Sequence, residues 1–220
     1  MIDDPKRQID AVRRTLGDRT IESGAALVAT ISQVYPTDID DLWEVVTDPE
    51  RIVRWFAPVS GELKEGGHYQ VEGNANGSIT RCDKPRGYSA TWEFGGQVSW
   101  IEVRLTPERD GTRFELEHVA KAEFPNDFWD RYGPGATGVG WDLAMLGLSR
   151  HLGDPSAPLD PEVIATWHTT EEGRTFLRLA ADRWAEVAAG YGVDPAAAKA
   201  QGDHTYAFYT GTESGDAPAH

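Results

Sequence analysis

The stretch from Asp38 to Trp55 constrains the fold of this chain most, because it predicts two short helices in tandem between strands. The spacing i, i+3, i+4 and i+7 of one apolar helix face is met by Ile39, Leu42, Trp43 and Val46. Asp48 then stands where an N-cap is expected, and Pro49 occupies the first position of the second helix. A helical pair inserted after the first strand of an antiparallel sheet is unusual, so it narrows the fold to few candidates.

Strand patterns surround this helical pair. A first strand is predicted over residues 25–35, and short turns rich in glycine separate later runs at 62–72, 78–82, 88–94, 98–105 and 112–122. Such short connections predict an antiparallel meander. Alternation along these strands gives one strongly apolar and aromatic face, which carries Tyr69, Val71, Tyr88, Ala90, Trp92, Phe94, Ile101, Val103, Leu105, Phe114, Leu116 and His118.

The flanking segments are predicted to be helical. Residues 4–16 form a short N-terminal helix within an N-terminal segment 1–24, and its Arg7, Arg13 and Arg14 are interpreted as solvated surface. A loop over 124–138 leads to a longer helix over 139–152, which is apolar on more than one side. The second apolar side must be covered by the remaining segment or by a second subunit, so a homodimer is one arrangement that the sequence allows.

The end of the chain is predicted to be a helical extension over residues 153–211, packed on the domain or on a dimer mate. Helix starts are indicated at Asp160-Pro161, at Thr170 and at Asp194-Pro195. Residues 212–220 are expected to be a disordered tail.

Composition excludes several classes of partner. A formal net charge of −15 disfavours nucleic acid and anionic membrane surfaces, and no apolar run reaches the ~20 residues that span a bilayer. The start of the chain does not have the pattern of a signal peptide, and Cys82 is the single cysteine, so a cytoplasmic protein without a disulfide is expected. The six histidines show no metal-ligand spacing, so no metal is expected.

Nucleotide and thiol chemistry are also disfavoured. Residues 133–138 match G-x-G-x-x-G, but the match follows an aromatic loop rather than a strand, so no dinucleotide cofactor is expected. Cys82 has no activating partner near it in sequence and is interpreted as a structural thiol. No cofactor of any kind is predicted.

Aromatic side chains give the strongest collective indication of a site. So many wide rings between one curved sheet and one helix are difficult to pack without a void, and apolar pockets lined by rings are typical ligand sites. The predicted lining residues are Trp55, Phe56, Tyr69, Tyr88, Trp92, Phe94, Phe114, His118, Trp141 and Met145. His118 is the candidate catalytic residue if the protein is an enzyme, and the alternative is a hydrogen-bonded core histidine.

Five segments together resemble a known superfamily. They are D-P-E-R-I-V-R-W-F at 48–56, G-G-x-Y at 66–69, A-T-W-E-F at 90–94, G-T-R-F-E-L-E-H at 111–118 and G-W-D-L-A-M-L-G-L at 140–148. Their order and spacing are similar to the SRPBCC, or START/Bet v-like, superfamily, and within it to bacterial proteins of the branch named for the activator of the heat-shock chaperone ATPase. The resemblance covers residues 25–152 and implies an α+β helix-grip fold, in which a curved antiparallel sheet surrounds a long C-terminal helix.

The resemblance also implies a function. Members bind lipids, polyketides or other apolar molecules in a cavity between sheet and helix, and Trp55, Tyr69, Trp92 and Trp141 fall at positions that shape it. The favoured interpretation is therefore a binding protein for an apolar or amphipathic small molecule rather than an enzyme. The alternatives are a polyketide cyclase or dehydratase that uses cavity histidine and tyrosine residues, and a protein-interaction or chaperone-associated module.

Overall fold

The computed structural model of the chain describes residues 4–122, 127–156 and 161–213. The strands are β1 (Arg13–Ile21), β2 (Gly24–Tyr35), β3 (Val59–Gly61), β4 (His68–Val71), β5 (Asn76–Asp83), β6 (Gly87–Phe94), β7 (Gln97–Glu108) and β8 (Gly111–Lys121). The helices are α1 (Pro5–Ala11), α2 (Ile39–Thr47), α3 (Pro49–Ile52), α4 (Asp127–Tyr132), α5 (Gly135–Gly153), α6 (Pro161–Trp167), α7 (Glu171–Tyr191) and α8 (Pro195–Thr210).

All eight strands form one antiparallel sheet in the order β1-β2-β8-β7-β6-β5-β4-β3. β2 and β8 are neighbours although α2, α3 and five strands separate them in sequence, so the meander closes back on the first long strand. The inner face of the sheet contributes most of the core together with α2 and α5. The predicted α+β helix-grip class is confirmed.

The tandem helices begin where the sequence predicts. The Asp38 carboxylate accepts a hydrogen bond from the backbone N–H of Asp41, and the Asp48 carboxylate accepts one from Glu50. Each side chain satisfies a backbone donor that the first helical turn leaves without a partner. Asp48 ends α2 and begins α3, so one residue joins the two helices; α2 packs on β7 and β8, and α3 packs on β3.

The prediction for the N-terminus was wrong in part. The helix α1 ends at Ala11, and the residues that follow form β1, which pairs with β2 from Arg13↔Ser32 to Ile21↔Gly24. The helical spacing of Val12 and Leu16 is therefore overridden by a hairpin with β2, because pairing along a whole strand outweighs weak local propensity. Residues 13–21 belong to the sheet rather than to a separate N-terminal segment.

Helix α5 is longer than the predicted 139–152 and packs on two sides. One side faces the sheet and α3, where a Cβ on Gly147 would lie 2.1 Å from the carbonyl oxygen of Trp55. The other side faces α7, where a Cβ on Gly138 would lie 2.2 Å from Cε2 of Trp184. These close approaches require glycine at both positions, and they let α5 contact the residues after α3 on one side and α7 on the other.

The extension of this same chain covers the second side of α5. Its members of the main apolar core cluster come from α7 and are Phe176, Leu177, Ala180, Ala181 and Trp184. Helix α8 packs on α7 and α4, and its Tyr209 hydroxyl donates to the carbonyl of Ala136 at 2.8 Å. The apolar surface that the sequence left to the extension or to a second subunit is thus buried within one chain.

A buried ion pair links three layers. The Arg14 guanidinium on β1 binds the Asp142 carboxylate on α5 in two places, Nε to Oδ2 at 3.1 Å and Nη2 to Oδ1 at 2.5 Å, and both side chains are almost fully buried. The indole N–H of Trp184 on α7 also donates to Asp142, at 2.9 Å. Burial raises the pKa of Asp142, and the Arg14 guanidinium acts against that shift. The prediction that Arg14 is solvated was therefore wrong.

The predicted loop over 124–138 contains helix α4, which the aromatic sequence F-W-D-R-Y forms. Its Tyr132 is buried beneath α8, and the Thr205 hydroxyl donates to its carbonyl at 3.0 Å. Phe124, Asp160 and residues 214–220 of the predicted tail lie outside the described residues.

Candidate functional site

A cavity of about 320 Å³ lies between the inner face of the sheet, the α2–α3 pair and α5. Its lining is mostly apolar and comes from strands β3 to β8 as well as from α2, α3 and α5. A volume of this size falls at the lower end of the roughly 300–1,000 Å³ typical of small-molecule sites. The cavity is therefore large enough for one small ligand.

Eight of the ten residues predicted to line a cavity are brought together around it. They are Trp55, Phe56, Tyr69, Tyr88, Trp92, Phe114, Trp141 and Met145. Further lining residues come from α2 and α5, among them Trp43, Val46, Ala144 and Leu148. Trp43 and Val46 were recognised in the sequence as one helix face, and only the crossing of α2 over the sheet turns that face toward the cavity.

Phe94 does not line the cavity. It is the last residue of β6, beside the turn into β7, and its side chain is 48% exposed. Alternation assigned it correctly to the face shared with Trp92, but the strand runs beyond the part of the sheet that α5 covers. The prediction for this residue was wrong for that reason.

His118 lies behind the cavity wall instead of in it. Its Nδ1 accepts a hydrogen bond from the Trp141 indole N–H at 3.0 Å, so its Nε2 carries the proton and donates to the Ser99 hydroxyl at 2.7 Å. The Ser99 hydroxyl in turn donates to the carbonyl of Trp92 at 3.1 Å. Burial lowers the pKa of His118 to about 4, so the ring is neutral near pH 7.

This arrangement is the alternative that the sequence left open, a hydrogen-bonded core histidine. Both ring nitrogens are occupied, and the ring reaches the cavity only through Trp141. His118 is therefore a positioning residue for one of the aromatic walls, and the geometry gives it no open nitrogen with which to move a substrate proton.

The aromatic walls contact one another. The Trp92 and Trp141 ring centroids are 5.1 Å apart, and Phe56 stacks on Trp141 at 6.3 Å with planes only 15° apart. Trp55 extends this group, and its indole N–H donates to the carbonyl of Val45 at 2.9 Å. Rings held by such contacts form a rigid surface suited to apolar or flat groups.

Most polar groups in the lining already have partners within the protein. The Tyr69 hydroxyl donates to the carbonyl of Thr91 at 2.6 Å, and the Thr47 hydroxyl donates to the carbonyl of Trp43 at 2.6 Å. The Tyr88 hydroxyl differs, because no hydrogen-bond partner for it is found in the described part of the chain. Burial raises the pKa of Tyr88 to about 12, so this hydroxyl stays protonated and can donate.

Exposed polar residues stand at one end of the cavity. Lys64, Cys82 and Lys84 contribute to the lining there and are also exposed to solvent. Cys82 faces Tyr88 across the β5–β6 pair, so both point to the same side of the sheet. We call this end, formed by Lys64, Cys82, Lys84 and Tyr88, the polar mouth. Nothing in the sequence beyond proximity to turns indicated the two lysines.

Comparison with protein families now assigns the chain. The family model described as Activator of Hsp90 ATPase homolog 1-like protein matches residues 36–153, which is more than half of the 220 residues. The chain belongs to this family. The lining residues of the cavity, from Trp43 to Leu148, all fall within the matched range. The superfamily branch suggested by the sequence motifs is confirmed.

Solved structures with the same fold resemble the chain over a longer range than the residues 36–153 that the family model matches. CalU16 from Micromonospora echinospora is 35% identical; its crystal structure covers 80% of this chain and 98% of its own with a TM-score of 0.59. Its solution structure covers 82% and 96% with a TM-score of 0.65. DynU16, a protein in the dynemicin biosynthetic locus, is 19% identical over 58% of this chain and 48% of its own with a TM-score of 0.51, which shows the fold alone. Among curated proteins none matches.

Two further features of this activator-like chain bear on its site. In the described ranges no group of three or more histidine, cysteine, aspartate or glutamate side chains is arranged to hold a metal ion. None of the helices described is both long enough and apolar enough to span a bilayer.

Proposed function

We propose that this protein binds an apolar or amphipathic small molecule in the cavity between the sheet and α5. The observation that carries the proposal is the cavity itself, about 320 Å³ of space whose lining is dominated by aromatic and aliphatic side chains. Transfer of an apolar ligand from water into such a site is favourable by about 25 cal/mol per Å² of apolar surface buried.

The residues facing the cavity support this proposal. Ala90 and Ala144 lie on opposite walls, on β6 and α5, where any larger aliphatic side chain would fill part of the space. Empty space beside an apolar wall costs stability, because the side chains of the wall lose packing contacts on that side. Small residues at both positions are readily explained if a ligand occupies the space.

Titration with the neutral fluorescent probe N-phenyl-1-naphthylamine tests the proposal. The probe is expected to bind one site per chain with a blue-shifted and enhanced emission. Ala144→Leu, which places extra volume in the cavity, is expected to weaken binding by about tenfold while the chain stays folded, since added methylenes in a site cost roughly 1–3 kcal/mol.

The matched control is Ala207→Leu on α8, far from the cavity lining and away from the fully buried core. Equal affinity of wild type, Ala144→Leu and Ala207→Leu for the probe would show that the probe binds elsewhere. Absence of any saturable binding would contradict the proposed function.

A further inference from the structure

The polar mouth of the cavity carries two cationic side chains, Lys64 and Lys84, in a chain of formal net charge −15. At the end of β5 and in the turn that follows, Arg81, Lys84 and Arg86 outnumber one carboxylate, Asp83, while the carboxylate of Glu65 bonds to the backbone of Cys82. Local charge of one sign at the entrance of an apolar cleft concentrates ligands of the opposite sign. The entrance therefore favours an anion.

The cations at this mouth are not equally available. Arg86 is bound to Asp83, with Nη2 to Oδ1 at 2.6 Å, and Lys64 is paired with Glu62 at 2.9 Å. Lys84 has no carboxylate within ion-pair distance in the described part of the chain. Its ammonium is thus the one lining cation whose charge no described neighbour neutralises.

A neutral donor, Tyr88, lines the same cavity four residues after Lys84. The Tyr88 hydroxyl lacks a partner in the described ranges, and its raised pKa, about 12, keeps the proton on the oxygen. An ammonium and a phenolic hydroxyl are both donors, and a carboxylate is the simplest small anion that accepts from both. The nearby carboxylate of Glu65 binds elsewhere, because its Oε2 accepts a hydrogen bond from the backbone N–H of Cys82 at 3.0 Å.

The apolar part of the cavity extends away from this end. Tyr88 and Trp92 are four residues apart on β6 and point to the same side, which separates them by about 13 Å at about 3.3 Å per residue. Trp92 then contacts Trp141 at the far wall. A ligand that spans the cavity thus meets donors at one end and aromatic rings at the other.

We infer that the ligand is an anionic amphiphile, a carboxylic acid in its simplest form, whose head group binds Lys84 and Tyr88 and whose apolar body lies against Trp92 and Trp141. This inference rests on the proposed function, because it names the class of ligand for the same cavity. Lys84 supplies charge and Tyr88 supplies a directed hydrogen bond, so the two act on different properties of the head group.

Three probes that share one alkyl chain test the inference: decanoate, 1-decanol and decyltrimethylammonium, each titrated into the full chain at about pH 7, where a carboxylic acid is ionised. Binding is followed by the fluorescence of the cavity tryptophans and by calorimetry. Decanoate is expected to bind about tenfold more tightly than 1-decanol, because it gains a partly exposed ion pair with Lys84 and a charged hydrogen bond from Tyr88. The cationic probe is expected to bind more weakly than either.

The matched variants are Lys84→Gln and Lys199→Gln. Lys84→Gln is expected to remove most of the preference for decanoate without changing the affinity for 1-decanol. Lys199→Gln, which removes the same charge from an exposed lysine on α8 far from the cavity, is expected to leave both unchanged. Tyr88→Phe is expected to weaken decanoate about threefold, as loss of one hydrogen bond does.

The outcomes separate the two claims. Equal binding of decanoate and 1-decanol, or a preference for decanoate that survives Lys84→Gln, would overturn the inference while the proposed function stands. Failure of all three probes to bind would overturn the proposed function as well. Added salt should reduce the preference for decanoate and leave 1-decanol unaffected, because only the ion pair is screened.

Discussion

The indole nitrogen of Trp141 lies 3.0 Å from Nδ1 of His118, and this hydrogen bond joins the outer wall of the cavity to the centre of the sheet. His118 is in register with Ile101 on β7 and Ala29 on β2, so the acceptor stands on three hydrogen-bonded strands. Trp141 comes from α5 and also contacts Phe56 and Trp92. A single neutral imidazole thereby sets the orientation of the ring that closes one end of the cavity.

Replacing His118 should therefore affect both stability and binding. His118→Phe leaves the buried Trp141 N–H without an acceptor, and we expect the free energy of unfolding to fall by about 1–3 kcal/mol. The probe N-phenyl-1-naphthylamine should also bind more weakly, because Trp141 is no longer held. Urea unfolding followed by circular dichroism measures the first effect, and fluorescence titration the second.

His68→Phe provides the control for that substitution. His68 lies on the exposed side of β4 and its ring bonds to the exposed Ser78 hydroxyl at 2.9 Å, so its loss should change stability by less than about 0.5 kcal/mol. If His118→Phe proved no more destabilising than His68→Phe, the positioning role of His118 would be refuted.

Stability should fall as the solution becomes mildly acidic. The pKa of His118 is lowered by burial to about 4 in the folded chain, against an ordinary value of about 6.5 in the unfolded one. Between these values the unfolded chain takes up a proton that the folded chain does not, so the free energy of unfolding decreases as pH falls from about 6.5 to 4, by up to about 3 kcal/mol, and is unaffected above that range.

The pKa of His151 is lowered as well, mainly by burial, and contributes in the same direction. The comparison that isolates His118 is the pH profile of stability for wild type and for His118→Phe, measured by urea unfolding at each pH. The variant should give the flatter profile. Parallel profiles would mean that His118 titrates normally in the folded chain.

The contact between α5 and α7 predicts a large effect from a small substitution. Gly138→Ala places a methyl group 2.2 Å from the Trp184 ring, which is buried and bonded to Asp142, so the helices must move apart. We expect a loss of about 1–3 kcal/mol in the free energy of unfolding. Thermal unfolding measures it.

Gly190→Ala is the matched substitution on α7. No atom lies within 4 Å of a Cβ built at that position, so alanine should be tolerated or stabilise the helix by about 0.5–1 kcal/mol. Similar midpoints for the two alanine variants would contradict the tight packing described at Gly138.

The buried ion pair predicts an asymmetric response on β1. Arg14→Met leaves the Asp142 carboxylate buried without its cation, and the expected loss in the free energy of unfolding is about 3–5 kcal/mol. Arg13→Met, on the exposed neighbouring position of the same strand, should change it by less than about 0.5 kcal/mol. Chemical denaturation of both variants decides this, and a mild effect of Arg14→Met would indicate that water reaches Asp142.

Local sequence signals predicted those features that local bonds determine. The predicted cap of α3 is confirmed because Asp48 bonds to a backbone N–H two residues away, and Asp38 caps α2 in the same way three residues away. Alternation also placed the aromatic residues of β4, β6 and β8 on the inner face, which burial confirms for Tyr69 and Phe114. The superfamily and fold class followed from the order of such segments.

Features that depend on distant partners were missed. Arg14 was predicted to be exposed because its partner Asp142 is 128 residues away in sequence. The residues of β1 were predicted to be helical in part because the spacing of apolar residues carries no information about pairing with β2. His118 was correctly placed on the inner face, yet Trp141 decides that it lies behind the cavity. The alternatives of an enzyme and an interaction module, the homodimer and the cytoplasmic location stay predictions.

The measurement that tests the central claim most directly is the set of intermolecular nuclear Overhauser effects between 1-decanol and the isotope-labelled protein. The account predicts contacts from the alkyl protons to the rings of Trp92 and Trp141 and to the methyl group of Met145, all of which line the cavity. Contacts confined to Phe94 and Val98, two exposed apolar residues of the β6–β7 hairpin, would contradict it, because the ligand would then lie at that hairpin and not in the cavity.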